Sequence, residues 1–123
     1  MLVRQSERTP AYKAMVENAR WRIGGVLFAT AHVVGSNNGR RSGDAAAIAE
    51  YERRDAANIE WINELFEIAR TDRSTPVVLG FQADPYLRYG LGGGFQATLA
   101  AITEGAIAFG GPVLVIYGDG HVF

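Results

Sequence analysis

The chain has 123 residues, 48% of them hydrophobic, with a mean hydropathy near zero, which is enough for a single domain over 1–123 with one core. Twelve basic against thirteen acidic residues leave a net charge of −1, so no polyanion-binding surface and no nucleic-acid partner are expected. Cysteine is absent, which excludes disulfides, thiolate ligands and a cysteine nucleophile. No run approaches the roughly 18 apolar residues of a membrane span. With no apolar signal core in the first twenty residues, a soluble chain is expected, cytoplasmic rather than secreted.

The polar opening, broken by Pro10, allows only a short helix from about Tyr12 to Asn18. Ile23 to Val34 reads as a strand over about 26–34, with Gly24-Gly25 as the turn of a preceding hairpin. A polar loop, Gly35-Ser36-Asn37-Asn38-Gly39-Arg40-Arg41, follows. Asp44 is the expected N-cap of a long helix whose apolar residues, Ile48 through Ile59, Ile62, Leu65, Phe66 and Ala69, recur at three- and four-residue steps. Trp61 and Phe66 belong to the core, and Arg40-Arg41 and Arg53-Arg54 read as solvated, with Arg40 in a loop near the strand ends. Val77 to Phe81 is a second strand that ends in Gln82-Ala83-Asp84-Pro85. A glycine-rich connection at 90–94 leads to a helix over about 95–109, which Gly110-Gly111-Pro112 stops. Val113 to Tyr117 is the third strand, closing in Gly118-Asp119-Gly120-His121.

The order is β-α-β-α-β. Strands that alternate with helices predict an α/β fold with a mainly parallel sheet and right-handed crossovers. Parallel strands end at one edge, the edge where open α/β sheets bind ligands. His32, the 36–38 loop, Gln82, Asp119 and His121 would all gather there. Asp oxygen and His nitrogen suit Zn, Mn or Fe, so Asp119 and His121 are candidate metal ligands; the bland alternative is a turn with an Asp cap. His32 is either a hydrogen-bonded structural histidine or a catalytic imidazole. Ser36, Asn37 and Asn38 form either a tight turn or a set of N–H and amide donors for phosphate oxygens. Gly90 to Gly94 lacks a following Lys-Ser/Thr and does not open G-x-G-x-x-G after a strand, so it reads as a connection and not a nucleotide cradle.

Taken in order, Glu17-Asn18-x-Arg20-Trp21, Phe28-Ala29-Thr30-x-His32-Val33-Val34-Gly35-Ser36-Asn37-Asn38, Trp61 to Phe66, Gln82-Ala83-Asp84-Pro85 and Pro112 through Gly118-Asp119-x-His121-x-Phe123 resemble the calcineurin-like metallophosphoesterase superfamily, in a bacterial branch of it. The resemblance runs from about Glu17 to Phe123 and covers only the C-terminal half of such an enzyme. It implies a partial α/β sandwich cut from a four-layer fold, with metal at the strand ends and a phosphate ester as substrate. In that reading His121 is the last His of the closing motif. Asp119 and Gln82 replace two usual histidines by oxygen donors, which favours Mn or Mg over Zn. The superfamily's upstream Asp-x-His, Gly-Asp-x-x-Asp and Gly-Asn-His motifs have no counterpart here. The expectation is therefore a phosphoesterase domain weakly active or inactive alone, completed by a second copy or a partner chain. The alternative is a non-catalytic binding module on the same half-fold.

Overall fold

The computed structural model describes residues 1–72, 76–86 and 93–120. They form one five-stranded sheet in spatial order β1-β2-β3-β4-β5, with β1 at Val3–Arg4, β2 at Ala19–Ile23, β3 at Val26–Thr30, β4 at Val77–Phe81 and β5 at Val113–Tyr117. Two helices, α1 at Ala45–Thr71 and α2 at Gln96–Phe109, complete the mixed α/β domain.

The three expected strands lie side by side and parallel, with Leu27 opposite Val77 and Val77 opposite Val113. The sheet as a whole is not mainly parallel. The hairpin at Gly24-Gly25 adds β2 antiparallel to β3, and β1 adds a second antiparallel pairing. Both turn glycines have positive φ, 55° and 83°, which is the geometry a two-residue hairpin turn needs. The expected helix over Tyr12 to Asn18 is absent; a single 3-10 turn at Pro10–Tyr12 stands near its place.

Asp44 caps α1 as its sequence position predicts, its carboxylate accepting from the Ala47 N–H at 3.0 Å. Gly110 ends α2 in the left-handed conformation, φ 71°, its N–H returning to Ala106. Period-two alternation sends Leu27 and Ala29 of β3 and Val77 and Leu79 of β4 to one face. There they bury against Ile62, Leu65, Phe66 and Ala69 of α1 and Ala101 and Ile102 of α2. The helices meet closely at Gly105, where a Cβ would collide with the Phe66 ring.

The opposite face carries Trp21, Phe28, Val78, Leu114 and Ile116, none of them buried; Leu114 is 55% and Ile116 53% exposed. Trp21 and Phe28 stack across β2 and β3 at 5.7 Å. The described residues thus make two layers, a sheet and one helical layer. A four-layer sandwich would require a second sheet on this open face.

Candidate functional site

The first strand stops at Thr30, four residues short of the expected Val34. Beyond that point Ala31 and Val33 still bond the backbone of Gly80 and Ala83, while side chains take the Thr30 and His32 groups. Trp61 donates its indole N–H to the Thr30 carbonyl at 3.1 Å. Asn18 Oδ1 accepts the His32 N–H at 2.7 Å, while Asn58 and Arg54 donate to the His32 carbonyl at 2.9 and 3.1 Å. Asn18 and Asn58, both fully buried, are joined at 2.9 Å, and Asn18 also donates to Gln5. A buried polar network thus turns the chain off the sheet, since each buried donor and acceptor must find a partner.

Arg54 is the centre of that network and corrects the expectation for that residue, while Arg53 is exposed as expected. It is only 2% exposed. Its guanidinium donates to Asn38 Oδ1 and to the Asn38 carbonyl, both at 2.7 Å, and it pairs with Glu50 at 2.7 Å. The same pairing holds the Glu50 carboxyl below its ordinary range. Next to Arg54, Asp55 accepts from Thr98 at 3.1 Å and from Tyr51 at 3.3 Å. Burial nevertheless pushes its carboxyl up, because desolvation outweighs those bonds. Neither Arg54 nor Asp55 carries a motif. The one available signal is a charged pair at helix steps that align with the apolar face.

The 36–38 loop divides by exposure. Ser36 is exposed and Asn37 half-buried, whereas Asn38 is fully buried. The Asn38 amide is consumed by Arg54, Gly94 and Val34, so it holds the loop from beneath and does not face a ligand. Asn37 and Asn38 both sit at positive φ, 50° and 53°, a conformation asparagine tolerates better than most residues. Asn37 Oδ1 accepts from Gly94 N at 2.8 Å. A Cβ at Gly93 or Gly94 would strike Asn37, so this end of the glycine-rich connection serves close backbone approach. Gly90 to Gly92 lie outside the described residues.

The three parallel strand ends do meet. Gln82 Oε1 accepts from Gly35 N at 2.9 Å, and the Gln82 carbonyl accepts from Gly118 N at 3.2 Å. The Asp119 carboxylate lies so close over Gly35 that a Cβ there would overlap it. Gly35, Gln82 and Asp119, far apart in sequence, are therefore neighbours. His32 stands on the same edge, its Nδ1 3.4 Å from the Glu17 carboxylate. His121 lies outside the described residues.

Two cavities flank this point. One of about 590 Å³ is lined mainly by apolar groups, with His32, Gln82 and Glu17 at its polar positions; Val34 is part of its wall. The other, about 480 Å³, begins at the next residue, Gly35, and is lined by Ser36, Asn37, Gly39, Arg40 and Arg41.

No model of a known protein family matches the chain. No curated protein and no solved structure matches it either.

The donor set fits a metal in part. Asp119 and Gln82 offer oxygen ligands of the kind a hard cation takes, and the Gln82 oxygen keeps a second lone pair after accepting from Gly35. Among the described residues, no three His, Cys, Asp or Glu side chains cluster as a metal site. These residues alone do not fit a two-metal centre. Among the described residues, no helix is long and apolar enough to cross a membrane.

Proposed function

We propose that this chain carries the phosphate-ester side of a metal-dependent phosphoesterase site. The observation that carries the reading is the meeting of Gly35, Gln82 and Asp119 at the C-terminal edge of the parallel strands, beside a cavity walled by Ser36, Asn37, Arg40 and Arg41. The Arg40 and Arg41 guanidinium groups, the latter 3.5 Å from the Asp44 carboxylate, would make the anion-binding wall, since the Gly35, Gly39 and Arg40 N–H groups already donate within the protein. Asp119, with Gln82 and His121, would hold one divalent cation, Mn or Mg in preference to Zn or Fe. Such a cation polarises a phosphoryl oxygen and lowers the pKa of a bound water. His32 would exchange a proton with the ester, and the half-exposed Glu17 beside it would hold the ring and balance its charge. Asn38 and Arg54 position the loop and do not touch the ester. The remaining ligands would come from a second copy or a partner chain.

The second reading, a non-catalytic binding module, is favoured by one observation: the described residues supply two metal donors where a two-metal centre needs many more. Mn titration separates the two. On the phosphoesterase reading, calorimetry finds micromolar-range Mn binding. Asp119→Asn and His121→Ala each weaken it on the order of tenfold or more. Arg40→Ala leaves Mn binding alone but weakens inorganic phosphate. A folded chain that binds no divalent metal would leave the binding-module reading in place.

A further inference from the structure

The larger cavity has no role in holding a phosphate. On the open sheet face it is lined by Thr30, Val34, Gly80 and Ile116, with His32, Gln82 and the Glu17 carboxylate as its polar groups. Gly80, between Thr30 and Ile116, leaves the floor of this cavity without a side chain, while Phe81 and Tyr117, one residue further along each strand, turn to the helix-covered face and stack there at 6.2 Å. Ile116, 53% exposed, and Leu114, 55% exposed, leave this face uncovered, and contiguous apolar surface of this kind marks binding sites. A volume of about 590 Å³, apolar walls and a few polar groups at one end are the features of a small-molecule site. The arginine-lined cavity begins at the adjacent residue, so polar and apolar compartments adjoin at Val34-Gly35.

We propose that the apolar cavity binds a flat, apolar alcohol portion, aryl in character, of a phosphate ester whose phosphate lies against the Ser36–Arg41 loop. This rests on the phosphate reading above and adds the class of ester. An aryl ring laid over Gly80, against Ile116 and Val34, loses apolar surface to the wall. Its ester oxygen would then emerge at the His32 and Gln82 end, next to Gly35.

Calorimetry on the full chain with 1-naphthyl phosphate, methyl phosphate and 1-naphthol tests it. Burial of one ring face predicts that naphthyl phosphate binds on the order of tenfold more tightly than methyl phosphate. Ile116→Ser should erase that preference. Leu114→Ser, on the same strand and face but outside the cavity, should keep it, with circular dichroism confirming that both variants fold. Equal affinity for the two phosphates, or no binding of naphthyl phosphate, overturns the proposal while leaving any phosphate binding intact. An equal loss in Leu114→Ser also overturns it, since the whole open face would then be responsible. If 1-naphthol binds as tightly as naphthyl phosphate, the phosphate reading fails and the ester assignment fails with it, leaving an aryl site.

Discussion

Replacing Arg54 with Met keeps most of the aliphatic stem and removes the guanidinium that joins α1 to the turn after β3. Three backbone or amide oxygens lose their donor: Asn38 Oδ1 and the Asn38 carbonyl, each at 2.7 Å, and the His32 carbonyl at 3.1 Å. The His32 carbonyl keeps Asn58 as a donor, so it suffers least. Asn38 Oδ1 keeps a long 3.4 Å contact from the Val34 N–H, so the Asn38 carbonyl is the acceptor left unpaired, at a cost of roughly 1–3 kcal/mol. Breaking a buried charged contact costs about 3–5 kcal/mol by the same logic. The expected loss is therefore about 3–4 kcal/mol, a large part of the roughly 5–15 kcal/mol that holds a domain together. Glu50 is the control. Its side chain is 51% exposed, so Glu50→Gln should cost under about 1 kcal/mol although it breaks the same ion pair. Urea titration followed by circular dichroism measures both. Losses of similar size, or an Arg54→Met loss below about 1 kcal/mol, would refute the claim that the guanidinium anchors the loop and not merely Glu50.

Asp55 gives a pH signature. Its folded-state carboxyl is raised above the ordinary 3.8 by burial, so the folded chain holds that proton more tightly than the unfolded chain. Its contribution to stability is fully present below that ordinary value and is lost as pH rises through the raised one. Asp55→Asn should flatten the melting temperature over that window, and an unchanged slope would remove Asp55 as its source. At Gly105, alanine gains about 1 kcal/mol of helix propensity but pushes a methyl into Phe66, which costs roughly 1–3 kcal/mol. A net loss of about 1 kcal/mol in urea titration is expected, and net stabilisation would mean the two helices can part freely. The β5 edge, Val-Leu-Val-Ile-Tyr, carries no charge and has no strand beyond it among the described residues. Such edges recruit other strands, so sedimentation velocity should find a dimer or larger species that Leu114→Lys returns toward monomer. A compact monomer at all micromolar concentrations would remove the edge as an assembly site.

Local patterns made much of the fold legible. Apolar runs bounded by Gly and Pro marked β4 and β5 to the residue. The Asp44 cap, the helical spacing from Ile48 to Ala69 and the Gly110 stop marked both helices closely. Parallel order puts Gln82 and Asp119 at one edge, because strands that alternate with helices usually run the same way. Backbone geometry and short-range periodicity decide these features, and both are written in neighbouring residues.

The end of β3 was not legible, because Val33 and Val34 are as strand-like as Val26. Ala31 and Val33 still bond the backbone of Gly80 and Ala83, but on the other side Trp61, Asn18, Asn58 and Arg54, arriving from elsewhere, take the Thr30 and His32 groups. Asn38 looked like a ligand-facing loop residue, and only the arrival of Arg54 and Gly94 shows its amide to be spent. The open, apolar sheet face was also decided in three dimensions. Alternation assigns residues to two faces, but both helices pack on one of them, and no local pattern states which face a crossover will cover. Burial of a charge, exhaustion of an amide and exposure of a face are properties of partners distant in sequence. The sequence by itself determined β4, β5, the two long helices and the edge where the parallel strands end; tertiary packing alone decided where β3 stops and which polar groups at that edge remain available for chemistry.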